Sequence, residues 1–153
     1  MHMLELKVPP LAVVLVTGAL MWLGAWMVPG LAFVFPARYA VAASLVVVGA
    51  LSSLLGVVSF RRAGTTVNPM TPESSSSLVV SGIYKLTRNP MYLGFLLALL
   101  GWAIFLSNVV AILFLPAFVL YMNRFQIEPE ERALAAIFER AFAAYKESTR
   151  RWL

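Results

Sequence analysis

From Met91 to Met122 the chain carries no charged residue, and this run limits its possible folds more than any other feature. Read as one helix at about 1.5 Å per residue, it would reach roughly 48 Å, well beyond a bilayer hydrocarbon core of about 30 Å. The polar pair Ser107-Asn108 is the expected break, which predicts helices over 90–107 and 109–125. Each is short for a crossing, which suits a locally thin bilayer or an extension into interfacial residues. One tilted, kinked helix is the less favoured alternative.

Two earlier uncharged runs, Leu11 to Val28 and Tyr39 to Phe60, predict membrane helices over 9–29 and 37–60. Pro29, Gly30 and Pro36 mark a tight connection between them. The arm before the first helix, "MLELKVPP", has no small-residue cleavage site, which argues against a removed signal peptide. Met1-His2 reads as a cloning remnant ahead of a natural start at Met3. With 61% hydrophobic and 12% charged residues the chain lies outside the soluble range. The expected fold is all-α: one integral membrane domain over 1–153 with four transmembrane helices, a cytoplasmic loop over 61–89 and an amphipathic tail helix over 128–148.

The chain has no cysteine and a single histidine, His2, which removes disulfides, thiolate chemistry and histidine metal clusters. Of its twelve basic residues, Arg38 alone falls between the first two helices, and the other eleven share the opposite side. That bias predicts a cytoplasmic loop and cytoplasmic termini. The scattered +5 charge points to anionic lipid headgroups and away from nucleic acid.

The second helix carries small residues at Ala42, Gly49, Ser53 and Gly56, which allow close helix packing. In the loop, "ESSSS" over Glu73 to Ser77 reads as a solvated hinge, and Asn68-Pro69 and Thr71-Pro72 punctuate a stretch long enough to suggest function. In the tail, Pro129 suits a first helical turn and Glu130 with Glu131 suit its positive end. Leu134, Ile137, Phe138, Ala141, Phe142 and Tyr145 follow at helical spacing, and both carboxylates begin that apolar stripe.

Charge, aromatics and a helix start coincide in "SGIYKLTRNPMYLG", Ser81 to Gly94. Asn89 can cap and Pro90 can open the third helix, and its positive end suits a carboxylate or phosphate. Arg88 offers a bidentate contact, and Tyr84 and Tyr92 offer flat faces. The plainer reading is an interfacial anchor. Arg88 and Glu130-Glu131 share a membrane side and a helix-start position, so a polar pocket roofed by the loop and tail helix, open sideways to lipid, joins them economically.

Taken together, "LVVSGIYKLTRNPMYLG" and "EPEERALAAIFERAFAAYKESTRRWL" resemble the isoprenylcysteine carboxyl methyltransferase and phospholipid methyltransferase superfamily, specifically its short bacterial members. The family's Arg-His-Pro-x-Tyr-x-Gly element reads Arg88-Asn89-Pro90-Met91-Tyr92-Leu93-Gly94 here. Its Glu-Glu-x-x-Leu element reads Glu130-Glu131-Arg132-Ala133-Leu134, and the following segment has Glu139 for the family's Gly and Phe142 for a Tyr. The resemblance implies S-adenosylmethionine dependence without a Rossmann domain, in a bacterial inner membrane. It suggests Ser77, Leu78, Val79, Tyr84, Asn89, Pro90, Met91, Tyr92 and Glu130 as cofactor contacts. Gln126 stands where members that methylate a carboxylate have an arginine near the acceptor, and is the substrate-binding candidate. Asn89 in place of His cannot act as a base.

Arg88 and Glu131 are the catalytic candidates: Arg88 with Glu131 orients the acceptor or holds the motif loop, and Glu131 can take a proton from an amine or thiol. The acceptor, entering from the bilayer, is a prenylated cysteine, a lipid amine or a small lipophilic thiol. The alternatives are a nicotinamide-dependent sterol or enone reductase and a non-enzymatic scaffold or transporter. A coupled transporter is expected to carry ionisable residues within its spans, and these apolar runs carry none.

Overall fold

The computed structural model describes residues 5–65, 68 and 70–153; His2, Met3 and Pro69, singled out above, lie outside them. Among the described residues five α-helices form: α1 (Pro10–Met27), α2 (Arg38–Arg62), α3 (Pro90–Leu106), α4 (Val109–Met122) and α5 (Glu128–Ser148). Among the described residues the extended pairing is a single bridge, Ala32 to Asn108. α1, α2 and the stretch beginning at Val109 are long and apolar enough to cross a membrane, and α3 is a shorter apolar helix.

Proline opens α1 at Pro10, where a missing N–H costs nothing, and Pro29 closes it. The turn at Ser107-Asn108 has a clear physical cause. Ser107 takes a left-handed conformation (φ 49°) that ends α3, and the Asn108 side chain accepts from Val110 N–H at 2.9 Å to cap α4. The same amide donates to Val28 O at 2.9 Å, so one buried side chain caps α4 and satisfies the last turn of α1.

α3 is central, with α2 on one side and α1 and α4 on the other. Its contact with α2 is backbone to backbone: a Cβ on Gly94 would lie 2.1 Å from Ser53 Oγ and 2.3 Å from Gly49 O. Ser52 donates to Pro90 O at 2.7 Å and Ser53 to Met91 O at 3.2 Å, tying α2 to the first turn of α3. On the far side Met21, Leu99, Ala103, Ala111, Phe118 and Met122 form the apolar core. Leu15, Val47, Leu113 and Leu120 face outward, as a lipid-solvated surface requires.

The structure corrects three expectations. α4 does not stop before the tail helix but runs through a π-turn, Asn123–Ile127, directly into α5. "ESSSS" is not a free hinge: Ser76 N–H donates to Thr65 Oγ1 at 2.9 Å and Ser77 Oγ to Ala63 O at 3.2 Å, fastening the loop to the end of α2. The tail stripe is narrower than its spacing suggests, since Ile137 and Ala141 are exposed. α5 kinks at Glu139 (φ 38°, ψ −111°), and Leu134, Phe138, Phe142 and Tyr145 are the residues that pack inward.

Candidate active site

A second apolar cluster lies under the loop, where Val79, Tyr84, Phe142 and Tyr145 pack with Phe60, Leu78, Ile83, Leu134 and Phe138. The Tyr145 phenol donates to Tyr84 O at 2.7 Å and locks α5 to the 3₁₀ turn Gly82–Lys85. Between this cluster and the start of α3 opens a cavity of about 790 Å³ when the open solvent at its mouth is counted.

Ser77, Leu78, Val79, Tyr84, Arg88, Asn89, Met91, Tyr92, Glu130 and Glu131 all line it, joined by Phe60, Asn68, Leu134, Phe142 and Tyr145. Two candidates do not reach it. Pro90 is fully buried against Gly56 of α2, and Gln126 is fully buried in the π-turn, where its Nε2 donates to Val8 O.

The two adjacent carboxylates have opposite surroundings. Glu130 accepts from the Tyr92 phenol, and burial, the dominant influence, pushes its carboxyl up to about 8. Glu131 accepts from Arg88 Nη2 at 2.8 Å and from Arg151 Nη2 at 2.7 Å and Nε at 3.2 Å. Burial alone would raise Glu131, but these hydrogen bonds and charges prevail and hold it below the usual carboxylate range. One protonated acid and one ionised carboxylate therefore stand side by side at neutral pH. Burial also raises the Tyr84 and Tyr145 phenols, so both remain neutral donors.

The loop side of the site is held by main-chain groups of the tail. Arg88 Nη1 donates to Thr149 O at 2.5 Å and Lys146 O at 3.2 Å, and Arg88 N–H to Arg150 O at 2.9 Å. Asn89 precedes α3, but its side chain does not cap it as expected: Nδ2 donates to Arg151 O at 2.9 Å, which turns the amide toward the tail. Among the described residues, the buried side-chain polar atoms left without a partner are Arg88 Nε and Gln126 Oε1.

The family model described as phospholipid methyltransferase matches residues 37–141, a stretch containing the α2–α3 seam, the loop and both carboxylates. The chain belongs to that family. Membership places it among methyltransferases. A probable protein-S-isoprenylcysteine O-methyltransferase of Oryza sativa subsp. indica is 32% identical over 106 residues, which is 67% of this chain and 54% of the relative. Protein-S-isoprenylcysteine O-methyltransferase A of Arabidopsis thaliana is 30% identical over 107 residues, 68% of this chain and 53% of the relative. The chain thus spans about half the length of these plant relatives. An uncharacterized protein of Haemophilus influenzae is 44% identical over 63 residues, 41% of this chain and all of the relative. No solved structure matches.

In this phospholipid methyltransferase family member, reasoning from sequence missed Arg151 and Thr87. Thr87 is buried, donates to Arg151 O at 3.2 Å and accepts from Asn89 N–H at 3.2 Å. Neither has a spacing signal, because the contact needs the tail after α5 to fold back on the start of α3. The aromatic walls Phe142 and Tyr145 lay in the tail stripe, and Phe60 lay at the end of the second apolar run.

Proposed function

We propose that the chain is an S-adenosylmethionine-dependent methyltransferase of a bacterial inner membrane, acting on a lipophilic acceptor that enters its cavity from the bilayer. The observation that carries this reading is the convergence of Glu130, Arg88 and flat aromatic walls in one cavity at the start of a membrane helix. A zwitterionic, ring-bearing cofactor needs such a set: an acidic partner for its ammonium, a donor for its carboxylate, and flat faces for its base. Pocket and cofactor therefore fit.

When bound, S-adenosylmethionine supplies a methyl group already activated on a sulfonium sulfur. The protein's task is then to orient and to exclude water, which contributes several kcal/mol where geometry is held. Glu130 holds its proton in the free protein, and a bound cation favours its ionised form. Tyr92 fixes the direction of that carboxyl. Arg88 spends most of its donors on Glu131 and the tail carbonyls, which favours holding the motif loop over touching the acceptor. Glu131 is the ionised carboxylate lining the cavity, and to take a proton released by an amine or thiol it has to give up a bond to Arg88 or Arg151. The family description and the plant relatives' names support lipid or lipid-anchored acceptors.

In this reading α1 to α4 make four crossings. The arm, the loop and α5 lie on the cytoplasmic side, and Arg38 lies on the other. Calorimetric titration of S-adenosylhomocysteine into the detergent-purified protein tests the reading. Saturable binding is expected, and it should disappear in Glu130→Ala and Tyr92→Ala. Absence of binding by well-folded protein, repeated in lipid, would refute it.

A further inference from the structure

The π-turn Asn123–Ile127 decides which way α5 faces. Such a turn holds an extra residue and leaves a carbonyl without its ordinary in-helix partner. Relaxing it to α-helix would rotate everything downstream by about 100°, the angle of one residue. Glu130 begins three residues after the turn ends, so that rotation would carry it off Tyr92.

The segment Glu5–Pro9, before α1, grips this turn. Leu6 N–H donates to Phe125 O at 3.0 Å, inside the π-turn. Gln126 Nε2 donates to Val8 O. Glu5 accepts from Arg124 Nη1 at 3.2 Å within the turn and from Arg132 Nη2 at 2.6 Å on α5, spanning the joint. Glu5 is well shielded, with its side chain 14% exposed. A backbone contact, a side-chain contact and a two-armed ion pair thus converge on one irregular turn from a segment distant in the chain.

We propose that this arm is the register clamp of the site, and that Glu5 is a positioning residue that keeps Glu130 against Tyr92. As a statement about cofactor affinity it rests on the methyltransferase reading; as a statement about the Tyr92–Glu130 contact it does not.

Two measurements on the full chain in detergent separate these. The first is the ¹³Cζ resonance of labelled tyrosine at position 92, assigned with Tyr92→Phe, which reports the phenol–carboxyl bond without any ligand. The second is S-adenosylhomocysteine affinity. Glu5→Arg, which repels both arginines, should shift the Tyr92 resonance and weaken affinity at least about fivefold. Glu5→Arg combined with Arg124→Glu and Arg132→Glu should recover both readouts. If Glu5→Arg does not fold, the milder Glu5→Gln decides, with a smaller change in the same direction. A lower melting temperature with the Tyr92 resonance unchanged would overturn the clamp, leaving the arm a stabilising strap. A Tyr92 resonance shifted in Glu5→Arg, together with a wild-type protein that binds no S-adenosylhomocysteine, would keep the clamp and remove the cofactor reading.

Discussion

Tyr92 gives its phenol hydrogen to the Glu130 carboxyl, joining the first turn of α3 to the first turn of α5. Burial is the main reason Glu130 sits near 8; the Tyr92 bond pulls it down and the Glu131 charge pushes it further up. An acid raised in the folded state stabilises the fold fully below its unfolded value of 4.5, and this contribution is lost as pH rises through 8. The wild-type melting temperature should therefore fall as pH rises from about 4.5 to about 8 and level off above that, and Glu130→Gln should flatten that limb. Parallel melting curves for the two proteins would show that another group titrates there.

Glu131 has the opposite sign. Its carboxyl is lowered, so its stabilising contribution is present above the unfolded value and is lost as pH falls through the folded one. Glu131→Gln should flatten the acid limb and cost about 2 kcal/mol, less than a fully buried pair because Glu131 and Arg151 keep some exposure. It should also loosen the tail, since the glutamine amide leaves Arg151 one acceptor oxygen in place of two and no opposite charge. Limited proteolysis after α5 is the direct measurement, and a tail equally resistant in the variant would contradict this.

Glu139 occupies backbone that favours glycine, at φ 38° and ψ −111°, where the resembling family has Gly. A non-glycine residue there costs on the order of 1 kcal/mol. Glu139→Gly should raise stability by about that amount, although glycine within a regular helix costs a similar amount. Ala143→Gly, in the same helix beyond the kink, is the matched control and should destabilise. Losses in both variants would mean that the kink is not strained.

The legible parts of this chain were those with a local cause. Ser107-Asn108 stood out as the polar pair in an uncharged run and became the turn between α3 and α4 because Ser107 could take positive φ and Asn108 could cap. Most of the candidate residues near Arg88 and Glu130 line one cavity, because the two helix starts that carry the motif residues meet there. What stayed hidden depends on distant main-chain groups. Arg151 reaches Glu131 only because the tail turns back, Asn89 abandons its cap for a tail carbonyl, and Gln126 is turned from the cavity by the π-turn and the arm. A π-turn has no periodic signature, and its extra residue shows only in the hydrogen bonds around it.

The α2–α3 seam sets the position of the site, because Ser52 and Ser53 hold the α3 start from which Tyr92 projects. Gly94→Ala tests whether packing or helix propensity wins there. Alanine favours helix by about 1 kcal/mol, but its Cβ would lie 2.1 Å from Ser53 Oγ and 2.3 Å from the Gly49 carbonyl. A serine hydroxyl can swing aside, whereas the carbonyl belongs to a helix backbone and can yield only if the two helices part. Overpacking of this kind costs about 1–3 kcal/mol, so the net effect should be destabilising. The displaced α3 start should also weaken cofactor binding more than the loss in stability alone would suggest. Gly30→Ala, with nothing within 4 Å of the added carbon, should leave both quantities unchanged. A Gly94→Ala protein more stable than wild type would mean that the helices approach less closely than this seam requires.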